Sequence, residues 1–132
     1  MADRSLRVII ADNSAQVKHR LERITINIPN IKIIGQVGNS SSSSRKNTIE
    51  TPDVVIHEIK ALSEKNIEFI KKVKKLFPST IVIIITDYAD SLYKAMCYAS
   101  GADYFFDIPE KYQLTANVLS KLANGYVPLY FN

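Results

Sequence analysis

The stretch PDVVIHEIK, residues 52–60, carries the pattern that decides how this chain folds. Val54, Val55 and Ile56 form a continuous apolar run, and such a run is typical of a strand that is buried on both faces. Glu58 follows at the far end of the run, where a carboxylate must be solvated, paired or used in chemistry. The stretch therefore predicts a buried strand that brings one acidic side chain to the edge of a sheet.

Four other apolar runs have the same character, because they are rich in the β-branched or aromatic residues that favour strands. With the quoted stretch they give five predicted strands, at residues 7–11, 31–37, 54–59, 81–86 and 104–106. Segments between them repeat apolar residues at spacings of three and four, as one face of an amphipathic helix does. The helical positions are Val17, Leu21, Ile24 and Ile28, then Ile67, Ile70, Val73 and Leu76, then residues 95–99, then Leu114, Val118, Leu119 and Leu122. Gly125 follows the last helix as a predicted C-terminal cap.

This succession of strands and helices predicts one fold class. A chain of 132 residues is the size of one ordinary domain. Continuous apolar strands in such a chain predict a parallel sheet with helices on both faces, which is an open, doubly wound, three-layer α/β fold. The pattern alone leaves the strand order open. Residues 39–51 are rich in serine and poor in apolar side chains, so we predict a short frayed helix or a mobile loop there.

The composition excludes several classes of protein. Hydrophobic residues make up 46% of the chain and charged residues 23%, as in soluble globular domains. We expect no membrane span, because no apolar stretch reaches about 18 residues, and no signal peptide, because the N-terminus lacks a cleavage pattern. The single cysteine, Cys97, excludes an intramolecular disulfide and fits a cytoplasmic location. The net charge of +4 is too small to indicate nucleic-acid binding.

Polar residues stand where the predicted strands end. Asp12 and Asn13 follow the first strand, and Glu58 lies near the end of the third. Because ligands of open α/β sheets bind beyond the carboxyl ends of the strands, we expect these three side chains to converge. Their oxygen atoms suit Mg²⁺, so they predict a weak Mg²⁺ site. The alternative is that Asp12 or Ser14 caps the first helix and Glu58 points into water.

Four segments of the chain resemble a known family. RVIIADNSAQVKHRLE, PDVVIHEI, IVIIITDYAD and GADYFFDIPEKYQ are similar, in order and spacing, to the receiver domain of two-component response regulators. The resemblance implies a flavodoxin-like fold with a five-stranded parallel sheet in the order 2-1-3-4-5. It also implies a single receiver-like domain over residues 1–132, with a core at 5–124 and a tail or the start of a linker at 125–132.

The family's phosphorylation site is kept in part. In such domains an acidic pair binds Mg²⁺, an aspartate accepts a phosphoryl group from a histidine kinase, and a hydroxyl residue and a lysine contact that group. Asp12 matches the first acidic position, and Asn13 replaces the second. Thr86 matches the hydroxyl position, and Phe105 stands where the family has its switch aromatic residue. These four positions keep the frame of the site.

The two positions that do the chemistry are changed. Glu58 aligns with the phosphoacceptor aspartate, and its extra methylene displaces the carboxylate from the place of the nucleophile. Ile108, still followed by Pro109, aligns with the lysine, and loss of such a cation costs on the order of 3 kcal/mol, about a hundredfold in rate. The sequence therefore predicts an atypical receiver, or pseudo-receiver, that signals by binding proteins and is not an enzyme. The fixed charge of Glu58 would imitate the phosphorylated state.

The resemblance also implies partners: a histidine kinase, an output domain or another signalling protein. The family dimerises through its fourth helix, fifth strand and fifth helix, so a homodimer through that face is one expectation. The face would present Tyr88, Asp90, Tyr93, Lys94, Tyr104, Lys111 and Tyr112.

Two other classes of function stay open. One is a still-active phosphorelay receiver that uses Mg²⁺, and the other is a small flavodoxin-like enzyme, although the turn DNSAQ lacks a phosphate-binding pattern. Lys71, Lys72, Lys74 and Lys75 are interpreted as the solvated face of a helix. His57 is predicted to point away from Glu58 and to pack under a helix.

Overall fold

The computed structural model describes residues 5–11, 14–37 and 51–125. Strands and helices alternate along these residues. In chain order they are β1 (Leu6–Ala11), α1 (Ala15–Thr25), β2 (Ile31–Val37), β3 (Val54–Ile59), α2 (Glu64–Leu76), β4 (Ile81–Thr86), α3 (Ser91–Ser100), β5 (Tyr104–Phe106) and α4 (Lys111–Ala123). The predicted strand bounds are confirmed, except that β1 begins one residue earlier. Residues 38–50, which include all but the last residue of the predicted serine-rich segment at 39–51, lie outside the described residues, as does the tail at 126–132.

The five strands form one parallel sheet in the order β2-β1-β3-β4-β5. This is the order that the resemblance implied, and the α/β flavodoxin-like fold class is confirmed. Within the described residues, no helix is both long and apolar enough to span a bilayer.

Two apolar layers hold the helices against the sheet. Because successive strand residues point to opposite faces, each strand contributes to both layers. One layer packs Ile9, Val55, Val82 and Ile84 against Ile67, Ile70, Tyr93 and Cys97 of α2 and α3. The other packs Val8, Ile10, Val54, Ile56, Ile83 and Ile85 against Val17, Leu21 and Leu119 of α1 and α4. The prediction of a sheet covered on both faces is therefore confirmed, and Cys97 is a core residue.

Ser14 caps α1, as one of the alternatives from the sequence had it. Its hydroxyl accepts hydrogen bonds from the N–H groups of Gln16 and Val17.

Two helices bury a shorter apolar stripe than the sequence predicted. The predicted apolar stripe continued to Ile28, but α1 ends at Thr25 and Ile28 lies in the following turn. Leu76 is 60% exposed, so the buried stripe of α2 ends one turn earlier, at Val73. Gly125 has a positive φ of 88° after α4, as a C-terminal capping residue does.

The core assignment predicts a large effect at Ile84, which is fully buried in β4. Replacing Ile84 by alanine should lower the free energy of unfolding by about 3 kcal/mol, because the lost apolar burial adds to the cavity left behind. Leu92→Ala is the matched control, since Leu92 is 73% exposed. It should change the free energy by less than about 0.5 kcal/mol. Urea unfolding measures both, and equal losses in the two variants would contradict this core.

Candidate functional site at the carboxyl edge of the sheet

Glu58 and His57 are neighbours in β3 and enter different layers of the fold. The side chain of Glu58 is partly exposed on the α1 and α4 side, and that of His57 is buried on the α2 and α3 side. One carboxylate oxygen of Glu58, Oε1, accepts a hydrogen bond of 2.9 Å from the hydroxyl of Tyr112 in the first turn of α4. The sequence left open whether this glutamate is solvated, paired or used in chemistry, and the structure shows that it is paired with Tyr112.

Tyr112 is held by groups of opposite charge. The guanidinium carbon of Arg20 in α1 lies 4.8 Å from the centre of the Tyr112 ring, which is cation–π geometry. Burial and the negative charge of Glu58 raise the pKa of Tyr112 to about 12, against a smaller lowering by Arg20. The phenol therefore keeps its proton at neutral pH and acts as the donor to Glu58.

Lys111 reaches a different part of the same edge. Its ammonium lies 2.7 Å from Oδ1 of Asp87, the first residue after β4. The Lys111 side chain is only 13% exposed, whereas that of Asp87 is 78% exposed. The hydrogen bond and positive charge of Lys111 hold the pKa of Asp87 below its usual value. The first turn of α4 thus contacts both the end of β3 and the loop after β4.

Ile108 does not fill the place of a lysine with buried packing, because its side chain is 46% exposed. Its backbone carbonyl accepts the N–H of Lys111 at 2.9 Å in the turn that leads into α4. In the sequence, the first positively charged residue after position 108 is Lys111, three residues later. The sequence reasoning placed Lys111 and Tyr112 on an outer face and missed their contacts with the cleft. Both residues lie in the first helical turn after Ile108 and Pro109. That position in the sequence could have indicated that their side chains reach the cleft.

Thr86 is buried at the end of β4, and its hydroxyl makes two hydrogen bonds. The hydroxyl donates to the carbonyl of Ile59 at 2.9 Å and accepts the N–H of Tyr88 at 3.1 Å. In the sheet register Thr86 is paired with Ile59 and not with Glu58, and its role as a switch residue stays a prediction. The hydroxyl fixes the start of the loop between β4 and α3.

Two aromatic residues on the α3 side are buried. Phe105 is 4% exposed, with the ammonium of Lys94 5.9 Å from its ring centre. Its role as a switch stays a prediction. Tyr93 is 7% exposed and its hydroxyl donates to the carbonyl of Ser63 at 2.6 Å. The expectation that Tyr93 belongs to an outer interaction face is therefore wrong.

His57 belongs to a buried polar group below α2. Its Nδ1 lies 3.1 Å from the carbonyl oxygen of Ala11, and its Nε2 lies 3.0 Å from Oδ1 of Asn66. The Phe69 ring lies 4.8 Å from the imidazole, and Nδ2 of Asn66 donates to the hydroxyl of Tyr93 at 3.2 Å. The prediction that His57 packs under a helix is confirmed, and these contacts give it a structural role.

The predicted Mg²⁺ site stays a prediction. Asp12 and Asn13 lie outside the described residues, so only Glu58 of the three candidate ligands has a described position. Among the described residues, no group of three His, Cys, Asp or Glu side chains is arranged to hold a metal ion.

Comparison with known proteins shows which proteins the chain is similar to. No profile of a known protein family matches the chain. In sequence it is 28% identical over 128 residues, 92% of this chain, to a protein-glutamate methylesterase/protein-glutamine glutaminase of Treponema denticola. A protein of the same name from a group 3 operon of Rhodopseudomonas palustris is 28% identical over 73% of the chain. The chain spans 34% and 27% of the lengths of these two relatives.

Solved structures agree on the fold. The isolated receiver (REC) domain of RcsB from Salmonella enterica serovar Typhimurium matches with a TM-score of 0.75 and 21% identity, over 92% of this chain and 90% of that one. A response regulator from Thermotoga maritima matches with a TM-score of 0.74 and 16% identity, over 91% and 98% of the two chains. In fold, the chain is therefore similar to the receiver domains of response regulators.

The environment of Tyr112 predicts a late ionisation. Its folded-state pKa of about 12 lies above the usual tyrosine value of 10.0, so its contribution to stability is complete below pH 10.0 and is lost as the pH rises towards 12. In a spectroscopic titration of tyrosinate, Tyr112→Phe should remove a step near pH 12. Tyr98→Phe, the matched control, should leave that step in place. The contact with Glu58 is contradicted if the tyrosinate absorbance that Tyr112→Phe removes develops at the usual pKa of tyrosine and not near pH 12.

Proposed function

We propose that this chain is an atypical receiver domain that acts in signal transduction by binding protein partners, without the usual aspartyl phosphorylation. The observation that supports the proposal most directly is the hydrogen bond between Glu58 and Tyr112. It places a phenol against the carboxylate that stands at the phosphoacceptor position. A carboxylate held in this way is poorly placed to attack a phosphorus atom in line.

Phosphoryl transfer depends mostly on positioning and charge stabilisation, and this cleft is deficient in both. The longer side chain of Glu58 moves the nucleophilic oxygen, and Ile108 supplies no cation. Lys111 brings a cation to the same edge, but its ammonium is paired with Asp87. Loss of one preorganised partner costs about 3 kcal/mol, or a hundredfold in rate, so the combined changes disfavour the conventional reaction strongly.

The same residues support a signalling role without a kinase. A glutamate at the acceptor position carries a permanent negative charge towards the place where the phosphoryl group would lie. In this chain Tyr112 of α4 donates a hydrogen bond to the charged carboxylate of Glu58. The domain is then held in one state by its own side chains, and that state is recognised by a partner.

The classes of partner follow from the domain type. The candidates are a histidine kinase, an output domain or another signalling protein. Self-association would be a homodimer through α3, β5 and α4, the elements that correspond to the fourth helix, fifth strand and fifth helix of the family. The relatives in sequence are several times longer than the matched region, so further domains are candidates for the output. Mg²⁺ held weakly by Asp12, Asn13 and Glu58 is part of the same proposal.

Incubation with a small-molecule phosphodonor and Mg²⁺, followed by intact mass measurement, tests the proposal. The wild-type chain should show no acid-labile phosphoryl adduct. The double variant Glu58→Asp/Ile108→Lys, which restores both family residues, should acquire one. A stoichiometric adduct on the wild-type chain would overturn the proposal and favour a still-active receiver.

A further inference from the structure

Two adjacent side chains of α4 join three separate parts of the fold. Lys111 contacts Asp87 in the loop after β4 at 2.7 Å, and Tyr112 contacts Glu58 in β3 at 2.9 Å. Glu110, the N-cap residue just before α4, makes no side-chain capping hydrogen bond in the described structure. The other described helices are each preceded by a serine or aspartate whose side chain caps the helix. The first turn of α4 is therefore fixed by its contacts with the sheet edge.

We propose that Lys111 and Tyr112 form an internal clasp that takes the place of a phosphoryl group and its lysine, and that opening the clasp is the switch that changes the surface of α3. The clasp is defined as the Lys111–Asp87 ion pair together with the Tyr112–Glu58 hydrogen bond. This inference rests on the proposed function, because a conventional acceptor site would be left open for the phosphoryl group.

The loop between β4 and α3 connects the clasp to a surface. It contains four residues, Asp87 to Asp90, between the end of β4 and the start of α3. Asp87 belongs to the clasp, and the Asp90 side chain accepts the N–H of Tyr93 and caps α3. A loop this short transmits a movement of Asp87 to the first turn of α3.

The surface next to this loop is apolar and exposed. Tyr88 is 44% exposed, Leu92 is 73% exposed and Met96 is 39% exposed. These residues are spaced by four, so Leu92 and Met96 lie on one face of α3 with Tyr88 just before it. A change in the clasp therefore changes the presentation of an apolar surface of the kind that proteins use for contacts.

The acidic residues of the clasp are accessible to solvent, so its two contacts can open without loss of the core. Asp87 is 78% exposed and Glu58 is partly exposed. A partner that offers a carboxylate to Lys111 competes directly with Asp87. Because Lys111 and Tyr112 are consecutive residues of one helical turn, loosening either contact also weakens the other, and the two should behave as one unit.

Residue-resolved amide hydrogen exchange tests the clasp, without phosphodonor or Mg²⁺. The reporters are the N–H groups of Tyr88, bonded to Thr86, and Tyr93, bonded to Asp90. Tyr112→Phe should accelerate exchange at both reporters about tenfold, as expected when a hydrogen bond to a charged acceptor is lost. Lys111→Met should accelerate it at both reporters by about threefold, as expected for an ion pair with an exposed partner. The double variant should exceed the larger single effect only slightly.

Matched controls separate the clasp from general loosening. Lys75→Met removes an exposed lysine of α2, and Tyr98→Phe removes a tyrosine hydroxyl on the outer side of α3. Both should leave the two reporters unchanged, and the amide of Ile84 should keep its protection in every variant. Unchanged reporters in both clasp variants would overturn the inference. Multiplicative effects in the double variant would also overturn it, since the contacts would then be independent.

The two proposals fail in different ways. A phosphoryl adduct on the wild-type chain overturns the proposed function and leaves the exchange result standing. Unchanged exchange at Tyr88 and Tyr93 overturns the clasp and leaves the absence of an adduct standing.

Discussion

The alternation of side chains along β3 is the constraint on which the rest of the site depends. Because neighbouring strand residues point to opposite faces, His57 enters the buried layer below α2 while Glu58 meets α4. A slip of one residue would place the carboxylate among apolar side chains and the imidazole in the cleft. One register places Val54 and Ile56 in the core and both polar side chains in their observed positions. That register sets the geometry of the cleft.

Much of the fold was predictable because its signals are local, and much of the site was not because its contacts are long-range. The five strands follow from continuous apolar runs, whereas Ile28 kept the helical period beyond the true end of α1. The position of Glu58 at the sheet edge also follows from its run. Its bond to Tyr112 crosses 54 residues and depends on how α4 lies against the sheet. The hydrogen bond from the Thr86 hydroxyl to Ile59 was likewise not predictable, because it depends on the register between β3 and β4.

The position of the cation distinguishes this cleft from the pattern that it resembles. Ile108 stands at the position that aligns with the lysine of the family. The positive charge is instead that of Lys111, one helical turn later in α4, and it pairs with Asp87. Since Asp87 is largely exposed, such an ion pair contributes about 0–1 kcal/mol. A hydrogen bond to a charged acceptor contributes about 1.5–3 kcal/mol, so Tyr112 is the stronger half of the clasp.

The phenol at Glu58 also bears on the duration of a signal. An aspartyl phosphate decays by hydrolysis, and its lifetime acts as a clock inside a conventional receiver. A side-chain hydrogen bond stores no covalent energy and breaks and re-forms within local motions far faster than that decay. Under the proposed function, no covalent intermediate would limit the length of the response. That length would be set by the residence time of the partner, and the reset would require dissociation and no phosphatase.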